Sequence, residues 1–140
     1  MHTDLQQAKQ LLQQGGYTCV LYSKHKVYTS NERGVRPLLN FLDGGEDLHG
    51  FFAADKVVGK ATAFLYCLLG VQEVYANVMS KPAAAVLSER GIAFCYDYLV
   101  DAIANRQNTG PCPMEAATAD VQTPEAALDA VRAALKRLQG

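Results

Sequence analysis

The residues of this 140-residue chain whose types and spacing could do chemistry are Asp55, the lysines Lys56 and Lys60 that follow it, and Cys112, which stands between two prolines. The first three lead the longest apolar stretch, residues 53–70, which reads as one helix apolar nearly all round and therefore buried. At the start of such a helix Asp55 either caps the first turn or moves protons in a site. Lys56 and Lys60, four apart, share one side near the N-terminus, where a cation opposes the helix dipole. That placement suits binding of an anion or a lysine of depressed pKa; the alternative is two aliphatic stems lying over the core with their ammonium groups in water. Gly59, inside the predicted helix, costs ~1 kcal/mol relative to alanine, which predicts close approach of another backbone or of a ligand.

Cys112 follows Pro111 and precedes Pro113, with Glu115 three positions on, so it can stand at a helix N-cap where exposed N–H groups favour a thiolate. It is the nucleophile candidate among the four thiols, and its structural alternative is a half-buried cysteine closing a rigid turn. Cys19, Cys67 and Cys95 fall in predicted core elements. With no Cys-x-x-Cys pair, the four read as reduced thiols rather than a disulfide framework. His2, His25 and His49 are scattered without ligand spacing, so no metal site is expected. The segment Ala54-Asp-Lys-Val-Val-Gly-Lys-Ala61 approximates a phosphate-binding loop, but alanines replace both the leading glycine and the Mg²⁺-binding hydroxyl residue, and a nucleoside-triphosphatase reading is rejected.

The elements that must position these residues follow from periodicity. A first helix, capped by Thr3 or Asp4, carries Leu5, Ala8, Leu11 and Leu12 on one face and stops at Gly15-Gly16. Residues 17–23 and 27–29 alternate around Lys24-His25-Lys26 and predict an antiparallel hairpin. The polar run 30–34 precedes a short helix that holds Val35, Leu38, Leu39 and Leu42 and ends at Gly44-Gly45. After the central helix, residues 71–80 read as a strand covered on both faces; a helix from Lys81-Pro82 to Gly91 and a strand over 92–96 complete a right-handed βαβ unit. A short helix is expected over 98–104, a loop over 105–113, a helix over 114–119, and a terminal helix introduced by Thr123-Pro124-Glu125. Leu128, Val131, Leu135 and Leu138 form its core-facing stripe. The sum is one domain, an α/β sandwich with a mixed sheet of four to five strands.

About half the residues are apolar, the formal charge is −1 and the pI is 6.3, so nucleic acid is not an expected partner. No run reaches the roughly 18 apolar residues of a membrane span, and the first residues lack the features of a secretory signal. The expectation is a cytoplasmic protein away from the membrane.

Taken together, Tyr17-Thr-Cys-Val-Leu-Tyr22, Thr29-Ser-Asn-Glu-Arg-Gly-Val-Arg-Pro-Leu-Leu39, Ala53-Ala-Asp-Lys-Val-Val-Gly-Lys-Ala61, residues 66–75 and Thr109-Gly-Pro-Cys-Pro-Met-Glu115 resemble the domain-of-unknown-function family 1893. That family is similar in fold to cytidine deaminases, which implies a three-layer α/β/α sandwich. Zinc deaminases begin one helix with His-x-Glu or Cys-x-Glu and another with Pro-Cys-x-x-Cys. Here the corresponding starts are Ala54-Asp55-Lys56 and Pro82-Ala83-Ala84-Ala85-Val86, which lack the ligands. The resemblance therefore implies a metal-free, cofactor-free pocket between two helix N-termini, with Asp55, Lys56 and Lys60 on one side and Ser80 and Lys81 on the other. Asn31, Glu32, Arg33 and Cys112 are expected at its rim.

The expected function is binding of a small anionic or nucleotide-like ligand by Lys56, Lys60 and helix N–H groups. Catalysis would run through Cys112 as nucleophile or Asp55 and Lys60 in proton transfer. The alternative is a non-enzymatic ligand sensor or interaction module, and a domain of this size is also compatible with a homodimer.

Overall fold

The computed structural model describes residues 2–105 and 107–139, and in it the hairpin forms as its alternation predicts. Strand β1 (Cys19–Tyr22) pairs antiparallel with β2 (Val27–Ser30), Cys19 opposite Ser30 and Tyr22 opposite Val27. Ahead of it lies helix α1 (Thr3–Gly15), capped by His2, whose Nδ1 accepts the Asp4 amide at 3.1 Å, and not by Thr3 or Asp4. Gly16 closes α1 at φ +70°, a conformation that suits glycine. Helix α2 (Arg36–Asp43) takes Pro37 in its first turn, as expected.

The largest departure from the pattern lies in residues 53–70, which are two elements. Strand β3 (Phe52–Val58) runs up to Gly59, and helix α3 (Lys60–Leu69) starts after it. Gly59 is extended, with φ −98° and ψ −176°, and serves as the N-cap of α3. The β-branched pair Val57-Val58 favours a strand, and β3 pairs on both edges: antiparallel with β1, where Asp55 faces Cys19, and parallel with β4 (Glu73–Ser80), where Asp55 faces Ala76. An apolar strand leading into an apolar helix gives no change of period at the junction, which is why one helix was the natural reading. Asp55 and Lys56 are therefore strand residues.

Helix α4 (Lys81–Glu89) crosses from β4 to β5 (Ala93–Val100), which runs parallel to β4 as the βαβ pattern requires. The expected helix over 98–104 is absent, because Tyr98, Leu99 and Val100 continue β5 opposite Val78, Met79 and Ser80. Helices α5 (Pro113–Thr118) and α6 (Pro124–Gln139) complete the chain. Arg106, within the predicted loop, lies outside the described residues. The sheet order is β2-β1-β3-β4-β5, a five-stranded mixed sheet flanked by helices.

Two apolar clusters flank the sheet. Leu5, Ala8 and Leu12 of α1 meet Val20, Phe52, Ala54 and Tyr75 in one. In the other, larger cluster α3 is central, with Ala61, Phe64, Leu65 and Tyr66 packed among residues of α2, α4 and α6. Val131 of α6 is fully buried and Leu128 and Leu135 are half-buried, as their stripe predicts, whereas Leu138 is 63 % exposed and Ala127 and Ala134 are buried instead. No helix among the described residues is long and apolar enough to cross a membrane.

Candidate functional site

Where β3 turns into α3 at Gly59, a cavity of about 360 Å³ opens. Its walls come from β1 (Cys19), β3 (Asp55, Val57), the segment entering α2 (Arg33, Val35), the first turn of α3 (Thr62) and the start of α5 (Cys112, Glu115). A parallel strand followed by its crossover helix leaves such a recess at the strand's carboxyl end.

Asp55 is the most constrained group in it. Although only 7 % exposed, it lines the cavity. Its Oδ2 accepts the Tyr66 hydroxyl at 2.7 Å, its Oδ1 accepts the Val57 amide at 3.3 Å, and Cys19 Sγ lies 3.4 Å from the same Tyr66 oxygen. Burial removes the solvation of the carboxylate and pushes its pKa up to about 7, against the lowering effect of the Tyr66, Val57 and Lys56 donors. The Tyr66 and Cys19 protons are held well above their ordinary range, first by burial and then by the Asp55 charge. A tyrosine in an otherwise apolar buried helix needs a partner for its hydroxyl, so Tyr66 carried a readable signal for this network; Cys19 and Thr62 carried none.

Replacing Tyr66 by phenylalanine removes the donor that favours ionised Asp55. Titration of the Asp55 carboxyl followed by ¹³C NMR is expected to move above about 7 in that variant. Loss of the buried hydrogen bond should also cost about 1–3 kcal/mol in urea unfolding.

Glu115 occupies the N-terminus of α3. Its Oε1 accepts the Lys60 amide at 2.6 Å, so the first turn that was expected to hold a ligand anion already holds a carboxylate of the chain itself. Burial raises the Glu115 pKa and outweighs the opposing Lys60 amide and charge. Gly59 explains this closeness, since a Cβ there would overlap Glu115 Oε1 and lie 3.2 Å from Ile103 Cγ1. What comes close to Gly59 is thus a side chain of α5, not the backbone or ligand that the sequence suggests, and Gly59 is the N-cap and not the interior of the helix.

The remaining sequence candidates separate. Lys60 Nζ donates to the Ala119 carbonyl at 2.8 Å, tying α3 to the end of α5, and Lys60 is not part of the cavity lining. Lys56 is exposed and lies between this cavity and a second recess lined by Gln13, Tyr75 and Asn77. Arg33 is exposed at the mouth, beside Glu32, whose carboxylate accepts the Asn40 amide at 2.5 Å; Asn31 is outside the lining. Ser80 caps α4, its Oγ accepting the Ala83 amide at 3.2 Å, and Lys81 pairs with Asp101 at 2.8 Å, so neither lines the cavity. Cys112 is half-buried at the N-cap of α5, the position its proline context predicts, and it also lines the cavity.

Comparison with known proteins places the chain in a family. The model of the domain-of-unknown-function family DUF1893 (TM1506) matches residues 7–135. The crystal structure of a DUF1893 family protein from Thermotoga maritima superposes with a TM-score of 0.86 at 25 % identity, over 98 % of this chain and 91 % of that one. No curated protein matches. Because the family match spans nearly the whole chain, and the solved structure shares the fold over almost the same extent, this protein belongs to the DUF1893 family.

Proposed function

We propose that this protein binds a small polar molecule in the cavity beside Asp55 and exchanges a proton with it. One observation carries the reading: a carboxyl that is 7 % exposed lines a cavity of ligand size, and burial there pushes its pKa up to about 7. A group of that pKa both gives and takes a proton at neutral pH, the property required of a general acid–base. Val35, Pro37 and Met114 supply apolar walls suited to a flat ring, while Arg33 and Lys56 suit an anionic tail at the mouth. A nucleotide-like ligand, ring inward and anion outward, is the fuller form of the proposal.

In the catalytic version Asp55 moves the proton, and Cys112, which lines the same cavity from the start of α5, supplies the nucleophile when the reaction is covalent. The accompanying fold reading is a cytidine deaminase-like three-layer sandwich. It is supported by the strand order, by the parallel β3, β4 and β5, and by the start of α3 beside the cavity. A deaminase zinc does not fit the residues present. Helices α3 and α4 begin Gly59-Lys60-Ala61 and Ser80-Lys81-Pro82, and among the described residues no three His, Cys, Asp or Glu side chains gather as a metal-binding group. The chemistry proposed is accordingly that of side chains.

The test is a panel of small polar metabolites screened by ¹H–¹⁵N NMR. Binders are expected to move the amides of Cys19, Val57, Thr62 and Glu115 together, and Asp55→Asn is expected to weaken them at least tenfold while Lys136→Ala on α6 leaves them unchanged. Binders that map elsewhere, or a panel without binders, would refute the proposal. Turnover of a bound compound separates an enzyme from a sensor.

A further inference from the structure

The Asp55 carboxylate is only partly satisfied. Its Oδ1 accepts the Val57 N–H and its Oδ2 the Tyr66 O–H, the adjacent Lys56 N–H donates to the Thr18 carbonyl, and a carboxylate with about four acceptor positions keeps some of them open. The other carboxyls of the lining are engaged: Glu115 holds the start of α3, and Glu32 holds Asn40. A further polar group faces the same space. Thr62 is 6 % exposed and lines the cavity, and its hydroxyl has no hydrogen-bond partner among the described residues. Because no fully buried side-chain polar atom among those residues is left unpaired, that hydroxyl keeps some accessible surface on a residue that lines the cavity.

We infer that the part of the ligand seated on Asp55 is an amidine-type cation, a planar N–C–N unit as found in amidines and guanidines. This rests on the reading of the cavity as a ligand site and names the chemistry of its inner end. Two N–H donors in one plane match the paired oxygens of a carboxylate, and the cation has further N–H groups to offer the Thr62 hydroxyl of the same cavity lining. The positive charge supplies the partner that a buried carboxylate lacks. A carboxylate or phosphate is disfavoured at this depth, because Arg33 and Lys56 are exposed whereas Asp55 is not. A neutral primary amide presents one N–H and its carbonyl oxygen along the edge that would face the carboxylate, and that oxygen has no donor to meet on an ionised carboxylate. Val35, Pro37 and Met114 leave apolar surface for whatever ring or chain carries the cation.

Benzamidine is the probe, with benzamide and benzoate as its neutral and anionic counterparts of similar shape. At pH 8, NMR titration is expected to give benzamidine binding at least tenfold tighter than either, with shifts centred on Val57, Thr62 and Cys19. Asp55→Asn should weaken benzamidine at least tenfold. Thr62→Val, which conserves shape and leaves Asp55 intact, should weaken it three- to tenfold. Equal binding of benzamide or benzoate at these residues would overturn the amidine assignment and leave the ligand-site reading standing. Benzamidine binding that ignores both substitutions, or shifts confined to other surfaces, would also overturn it. Failure of all three probes together with the metabolite panel would remove both readings.

Discussion

Gly59→Ala is expected to destabilise the protein by about 2–4 kcal/mol in urea unfolding, a large effect for a single methyl group. Steric overlap itself is not the main cost, because the atom in the way is the end of a flexible glutamate that can swing aside. What is lost is the hydrogen bond at 2.6 Å from the Lys60 amide to Glu115, a charged acceptor on an otherwise unsatisfied helix start, together with the better N-cap tolerance of glycine over alanine. The second anchor between α3 and α5, from Lys60 Nζ to Ala119, does not pass through Gly59 and should hold α5 in part. A double-mutant cycle isolates the mechanism. In a Glu115→Ala background the same Gly59→Ala change should cost only about 1 kcal/mol, the N-cap component. Additive losses in the cycle would mean that Glu115 and Gly59 act independently and that the close approach is incidental.

The same junction explains what could be read in advance. Hairpin, crossover and terminal helix are legible because each carries a local mark: the alternation around Lys24-His25-Lys26, the Lys81-Pro82 start, and the Thr123-Pro124-Glu125 cap. The β3–α3 boundary carries only a weak one, the β-branched Val57-Val58, since that strand end and most of residues 61–69 are apolar alike and Gly59 breaks the chain by an extended conformation that any residue could adopt. The end of β5 failed for a related reason. At an edge of the sheet Tyr98 stands 65 % exposed, so its residues lack the alternating burial that marks a half-covered strand.

At the site, Asp55, Lys56, Arg33 and Cys112 were found as residues of one cavity, although Asp55 and Lys56 reach it from a strand. Tyr66, Thr62 and Cys19 could not be joined to Asp55, because their meeting depends on the pairing of β1 with β3 and on how α3 lies over the sheet. Those are long-range facts with no sequence spacing to betray them. The lysines illustrate the opposite error: charge placed near a helix start invited an anion, and the chain had already supplied one in Glu115.

The largest pH effect should come from Asp55. Its pKa rises from the ordinary 3.8 to about 7 on folding, so the folded chain binds a proton that the unfolded chain has released between those limits. The linkage sign follows: stability from this group is fully present below about 4, declines as pH rises, and is exhausted above about 7. Three pKa units correspond to roughly 4 kcal/mol, an upper figure because a buried carboxyl relaxes and admits water. Glu115, also raised by burial, contributes in the same direction. The exposed Asp43, Asp97 and Asp101, held low by Arg132, by Tyr75 and by Lys81 respectively, act oppositely, their stabilisation being lost only as pH falls into the acid range. Urea unfolding from pH 4.5 to 8 should therefore show wild-type stability falling with pH. In Asp55→Asn, which cannot ionise but still accepts the Tyr66 hydroxyl, most of that slope should vanish, leaving a remainder from Glu115. Parallel profiles for the two proteins would mean that Asp55 stays ionised throughout, and the proton-exchanging role proposed for it would fall with its raised pKa.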